Sequence, residues 1–313
     1  MQKDIQNEFQ YDNYIDLKEL ISVLWSGRKK ILVVTFLFGL VSVIYALSIP
    51  NQYKATVLLA PAQSSSGGLS GALSDLGGLA SLAGINVDSG ESDESLIAQE
   101  IMKSWSFMEE FILENDLMVK VFAAEGWSKN SNRLLIDSDL YDEENNQWLI
   151  EGEDSNKFRS PSSWELYESF SERLAISEDK KTGLVSISFE YYSPLIAKEL
   201  LDMYVAAINE HMQKRKIDKV NNNILYLEEQ IKNTSLAEMR DVFYNLIGEQ
   251  TKNKMLAAAS PEYALVVVGP SMVPELKSKP ERALICIFGS LLGAVLSVLL
   301  VFSLHYLKKE YKS

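Results

Sequence analysis

The stretch VGPSMVPELKSKPERALICIFGSLLG, Val268–Gly293, decides how the chain is organised. Pro270, Pro274 and Pro280 stand just ahead of a long apolar run. Proline fixes φ, removes a backbone donor and pushes the preceding residue out of the α region. The spacing therefore predicts a stiff, extended neck that feeds directly into a hydrophobic helix. That run, residues 283–307, is interrupted only by His305. A second such run, ILVVTFLFGLVSVIYALSI (31–49), carries no charge over its whole length. Each is long enough to cross a hydrocarbon core of about 30 Å as a helix rising about 1.5 Å per residue. A cleaved signal peptide is the rival for the first run, because Arg28-Lys29-Lys30 precede it. The long acid-containing segment ahead of it (Asp4, Glu8, Asp12, Asp16, Glu19) and the length of the run favour a retained anchor.

Orientation follows from the basic flanks. Lys18, Arg28, Lys29 and Lys30 lie before the first run, and Lys308, Lys309 and Lys312 after the second. Both ends are expected in the cytoplasm, although Lys277, Lys279 and Arg282 weigh against this. The expected boundaries are a cytoplasmic segment 1–30, spans at 31–49 and 283–307, a tail at 308–313, and an exported domain at 50–282. The whole chain has formal net charge −13 and pI ≈ 4.8, with the balance of −15 lying between the spans. Such acidity argues against nucleic acid as a partner. One cysteine, Cys286, excludes an intrachain disulfide and a Cys-cluster metal site. With only His211 and His305 present, a His-based metal site or catalytic triad is not expected either.

Within the exported region YKATVLLA (53–60) reads as a strand ended by Pro61. The following Gly/Ser-rich stretch reads equally as a flexible linker or, through Leu69, Leu73, Leu76, Leu79 and Leu82, as a small-residue helix. Residues 93–125 read as helical and 126–163 as polar and irregular, and TGLVSISFEYY (182–192) alternates as a strand. Ser193-Pro194 then caps a long helix expected to run to about residue 259. A break is possible at Asn221–Asn223 or at Asn233–Ser235. Ile217, Val220, Ile224, Leu227 and Ile231 step three and four, a heptad seam. The seam is expected to be an oligomerisation surface, with an intrachain hairpin as the alternative. Lys214, Arg215, Lys216 and Lys219 form a basic cluster in an acidic region. It reads either as a solvated helix face or as a contact for an anionic glycan, a lipid pyrophosphate or a neighbouring subunit. Gly289 and Gly293 form a GxxxG that lets helices approach closely.

Two segments carry a resemblance. IDLKELISVLWSGRKKILVV (15–34) followed by IPNQYKATVLLAP (49–61) resembles the N-terminal signature of the Wzz-type chain-length determinants, or polysaccharide co-polymerases. KNKMLAAASPEYALVVVGPSMVPELKSKPERALICIFGSLLGAV (252–295) resembles their C-terminal signature. The prolines are spaced more widely here than is common in that family.

The resemblance implies an α+β fold in which two transmembrane helices flank a periplasmic α/β base domain with a long extended helix. It implies a bacterial inner-membrane protein that assembles as a ring-shaped homo-oligomer, an octamer being one such ring. It also implies a non-catalytic role, without cofactor. The protein would set the length of O antigen in lipopolysaccharide, with a Wzy-type polymerase acting on undecaprenyl-pyrophosphate-linked glycan. The alternative is a co-polymerase for capsule or exopolysaccharide working with a separate cytoplasmic kinase. A fused kinase is not expected, because no GxxxxGK[ST] occurs and only six residues follow the second run.

Overall fold

The computed structural model describes residues 17–62, 90–152, 158–234 and 236–310. The Gly/Leu-containing stretch, for which a linker and a helix were both open, lies largely outside them. The chain divides into two compact units, residues 1–50 with 279–313 and residues 51–278. Among the described residues the first unit holds two helices, α1 (Leu17–Ser48) and α7 (Arg282–Glu310). Both are long and apolar enough to cross a membrane, over Val23–Ser48 and Arg282–His305.

The second unit runs in the order β1 (Gln52–Pro61), α2 (Gly90–Lys103), α3 (Trp105–Glu114), a π-type turn (Val119–Ala123), β2 (Ala124–Ser128) and β3 (Arg133–Ile136). It continues with α4 (Ser163–Ser171), β4 (Leu174–Glu178), β5 (Val185–Tyr191), α5 (Pro194–Asn233), α6 (Ala237–Ala258), β6 (Leu265–Gly269) and β7 (Lys277–Lys279). Its main sheet has the order β6-β1-β5-β4, with β7 also on β1. β1 runs antiparallel to both neighbours, Tyr53 opposite Tyr191 on one side and Pro61 opposite Leu265 on the other. A strand near the start of the chain is thereby held between two that come much later.

The sheet forms because its strands alternate. Ala55, Val57 and Leu59 of β1 and Val185, Ile187, Phe189 and Tyr191 of β5 are buried. Over them lies the first half of α5, whose Ala197, Leu200, Leu201, Tyr204, Val205 and Ile208 recur at helical spacing and are all buried. Phe111 and Phe170 pack edge-on and tilted around Tyr204, with ring centroids at 4.9 Å and 5.1 Å. The Tyr204 hydroxyl donates to the Met102 carbonyl, so the buried ring keeps its polar tip paired.

One buried polar residue stands on that face of α5. Ala62 N donates to Ala264 O at 3.0 Å, which makes Pro61 and Leu265 a non-hydrogen-bonded pair. The N–H and C=O of Leu265 therefore point off the sheet edge. Asn209 meets both: its Oδ1 accepts from Leu265 N and Ala264 N at 2.9 Å, and its Nδ2 donates to Leu265 O at 2.9 Å. At this point the side chain acts as the missing next strand.

The expected single helix from 194 to about 259 is corrected to two, α5 ending at Asn233 and α6 beginning at Ala237, which is the second of the two breaks the sequence allows. Asn233, Thr234 and Ser235 are weak helix formers, and Thr234 takes an extended backbone. The region read as one helical stretch, 93–125, is likewise divided, because the Ser104 hydroxyl caps a new helix by accepting from Phe107 N. The stretch read as irregular, 126–163, contains the β2–β3 hairpin.

α4 opens with a full capping box: Ser162 Oγ accepts from Glu165 N, while Glu165 Oε2 accepts from Ser162 N at 2.7 Å. The Arg159 guanidinium bonds both oxygens of the Glu165 carboxylate, at 2.7 Å and 2.8 Å. That pairing, aided by Ser162, holds the Glu165 carboxyl down to about 2. A lowered folded pKa contributes stability that is present above the ordinary carboxylate range and lost as pH falls through about 2. Both side chains are partly exposed, so screening keeps the effect near 1 kcal/mol, roughly that of a helix cap. Glu165→Gln is expected to lower the unfolding temperature at pH 7. Wild type and variant should converge near pH 2, which thermal unfolding at the two pH values would show.

Candidate functional site

Four sets of residues were singled out by the sequence, and the structure treats them differently. The first is the glycine pair in α7. α1 and α7 pack antiparallel: Thr35 Oγ1 lies 3.5 Å from Ser297 Oγ, and Arg282 Nε donates to Ala46 O at 3.0 Å. Gly289 and Gly293 lie at the points of closest approach. A Cβ added at Gly289 would meet Ser42 Oγ and stand 2.7 Å from Ser42 Cβ. One added at Gly293 would meet Phe38 Cβ and stand 2.9 Å from Phe38 Cγ. Gly27 of α1 is similarly tight, with a built Cβ 3.1 Å from Val301 Cγ2. Absence of a side chain is thus what lets these helices touch. Gly27 was missed by the sequence reading because it lies outside the apolar run, beside Arg28.

The second set is the heptad seam. Gln213 on α5 donates through Nε2 to Ala257 O at 3.0 Å and to Ser260 O at 2.9 Å. These bonds align α5 and α6 as an antiparallel hairpin, and the two helices contact each other closely. On α5, Val220 is buried, and Ile217, Ile224, Leu227 and Ile231 are half-buried. On α6 the less exposed positions are Phe243, Ile247, Gln250, Lys254 and Ala257, which again step four and three. The seam therefore finds a partner in its own chain. The intrachain hairpin that stood as the alternative reading is formed, and the seam is covered by α6 and not left open as an oligomerisation surface. The faces turned away from the seam still expose Leu225, Tyr226, Val242 and Tyr244.

The third set, the basic cluster, is divided. Lys216 Nζ bonds Glu94 Oε1 at 2.9 Å and so ties α5 to α2. Lys214, Arg215 and Lys219 remain exposed and line a groove of about 470 Å³ with His211, Glu110 and Asn222. His211 Nδ1 is 3.6 Å from Glu110 Oε2 at its edge, and the His211 ring packs edge-on against Phe107.

Of the neck prolines, Pro270 is exposed, and Pro274 and Pro280 are half-buried. Residues 270–276 form neither helix nor strand, as the prolines require. The neck is not wholly irregular: β7 follows and pairs with β1, and Ser278 Oγ donates to Gln52 O at 3.2 Å. The neck is also tied to α5, where Ser271 Oγ donates to the Asp202 carboxylate. Among the described residues, no group of three His, Cys, Asp or Glu side chains clusters as a metal site.

Residues 13–114 match the family Wzz, chain length determinant protein. That stretch includes the N-terminal segments whose resemblance was read above, and it runs through α1, β1 and α2 to the end of α3. A full-length bacterial polysaccharide co-polymerase is 11% identical, with 94% of this chain and 99% of that one covered and a TM-score of 0.39. A fragment of WzzB, the polysaccharide co-polymerase from Salmonella Typhimurium, is also 11% identical, with 73% and 100% covered and a TM-score of 0.31. No curated protein sequence matches the chain.

Proposed function

We propose that this chain, which carries the chain length determinant signature over residues 13–114, regulates O-antigen length without catalysing a covalent step. In this reading it works beside a Wzy-type polymerase on undecaprenyl-pyrophosphate-linked glycan in a bacterial inner membrane. The family match is the observation that carries the proposal. The two apolar helices supply anchors, and the basic residues flanking them favour cytoplasmic ends, with residues 50–282 in the periplasm. Protomers assemble as a ring, in which the exposed apolar side chains of the α5–α6 hairpin serve as subunit contacts in place of the internally covered seam. The neck prolines set where α7 begins, and Gly289 and Gly293 hold the two spans together.

The test is the lipopolysaccharide ladder of a deletion strain beside the same strain with the gene restored. Length control predicts loss of a clustered modal band on deletion, replaced by a smooth decline from short to long chains. An unchanged ladder with altered capsule or secreted polymer would transfer the role to an exopolysaccharide co-polymerase with a separate kinase. No change in any surface polymer would remove the proposal.

A further inference from the structure

A cavity of about 420 Å³ opens between the middle of α2, the end of β1 and the β4–β5 turn. Two of its polar side chains are themselves buried, Ser95 at 4% and Gln99 at 6% exposure. Gln99 Nε2 donates to Glu178 Oε2 at 3.1 Å, leaving the amide carbonyl and the other carboxylate oxygen able to accept. Ser95 Oγ is fully buried and has no hydrogen-bond partner. Such an orphaned hydroxyl is uncommon in a folded core and costly to leave unpaired.

The far wall is a hydrogen-bonded turn. Gly183 takes φ +68°, and its N–H donates to Asp179 O at 2.8 Å. The Asp179 carboxylate accepts from Lys181 N at 2.9 Å. This turn presents Thr182 to the cavity, while Pro61 and Leu96 add apolar surface.

The lining selects a class of ligand. It offers acceptors at Glu178 and Gln99 and hydroxyls at Ser95 and Thr182, with apolar carbon beside them. No Lys or Arg lies among its lining residues, and a carboxylate does, which disfavours an anion. A purely apolar occupant would leave Ser95 unpaired. One water fills only about 30 Å³, whereas sites for small molecules run from about 300 to 1,000 Å³. A ring that carries several hydroxyls and an apolar C–H face satisfies every group named.

The geometry points to a subsite for one neutral sugar residue of the growing glycan, a reading that rests on the chain-length function proposed above. Ser95, Gln99, Glu178 and Thr182 bind the hydroxyls, and Pro61 and Leu96 receive the C–H face. The site adjoins Glu94, the α2 partner of Lys216, but shares no lining residue with the cationic groove on α5.

The experiment is saturation-transfer NMR on the full chain in lipid nanodiscs. The probes are the methyl glycosides of glucose, galactose, mannose, rhamnose and N-acetylglucosamine, with methyl glucuronide as the anionic comparison. At least one neutral glycoside should receive saturation, and methyl glucuronide should not. Gln99→Leu should weaken that binding about tenfold, the effect of losing a buried polar partner. Thr182→Val, in an exposed turn, should weaken it, with thermal unfolding as the check on the fold because Thr182 Oγ1 also accepts from Leu184 N. Lys252→Ala, at an exposed position of α6, should leave it unchanged. Absence of transfer to every neutral glycoside, equal binding by the Thr182 variant, or preference for the glucuronide would each overturn the subsite. Any of these alongside a deletion strain that loses its modal band would remove the subsite and leave length control standing. Sugar binding in a chain whose deletion leaves every surface polymer unchanged would do the reverse.

Discussion

Replacing Gly289 and Gly293 together by leucine is expected to broaden the chain-length distribution while leaving the amount of protein unchanged. The cause is steric. Ser42 and Phe38 occupy the space that the new side chains would need, and both lie on a helix that α7 packs against. Forcing extra carbon into a packed contact costs about 1–3 kcal/mol at each position. Helices in lipid lack a hydrophobic drive to associate, so van der Waals packing of this kind largely holds them together. Each helix remains apolar and able to insert, which is why the amount of protein should hold. The measurement is the polysaccharide ladder beside an immunoblot. A tight modal band in the double variant would separate span packing from length control. Gly248→Ala is the internal control: no atom lies within 4 Å of its built Cβ, and it stands inside α6. Relief of glycine's backbone entropy there should stabilise the protein by about 0.5–1 kcal/mol.

Asn209→Leu should be the most damaging single substitution in residues 51–278. Leucine fills similar space but leaves Ala264 N, Leu265 N and Leu265 O without the partners they have at present. Each unpaired buried group costs about 1–3 kcal/mol. A total near 3 kcal/mol or more corresponds to a drop of roughly 6–12 °C in unfolding temperature for a domain of this size. Asn209→Asp keeps the acceptor for both N–H groups and loses only the donor, so it should fall between leucine and wild type. Thermal unfolding of the full chain in detergent would check the order. A leucine variant within about 1 kcal/mol of wild type would mean that this edge contact carries little of the stability.

The sequence showed the parts that depend on local pattern. Uncharged runs marked α1 and α7, alternation marked β1 and β5, and Ser193-Pro194 marked the start of α5. What it could not show was who partners whom. The seam at Ile217, Val220, Ile224, Leu227 and Ile231 is the same pattern whether its partner is another chain or α6. Only the extended Thr234 decides for α6. Asn209 left a faint signal, one polar residue on the apolar stripe from Ala197 to Met212, but its role depends on an edge strand more than fifty residues away. The basic cluster was legible as a cluster. That Lys216 belongs to Glu94 and the other three to a groove depends on where α2 lies. Ser95 and Gln99 carry no sequence signal at all, since a serine and a glutamine four apart on a helix are ordinary.

The place of β1 in the sheet has a consequence for the order of events during synthesis. Its pairing with β6 joins Pro61 to Leu265, about 200 residues later. At about 5–20 residues per second, roughly 10–40 s separate the appearance of these two strands. The α5–α6 hairpin can close early, because its halves are neighbours in the chain, whereas the sheet must wait for a distant strand. Through that interval one edge of β1 stands without its neighbour. A nascent chain halted before residue 265 would therefore expose a strand edge that the finished protein hides, and this is the window in which it is most open to pairing with the wrong chain.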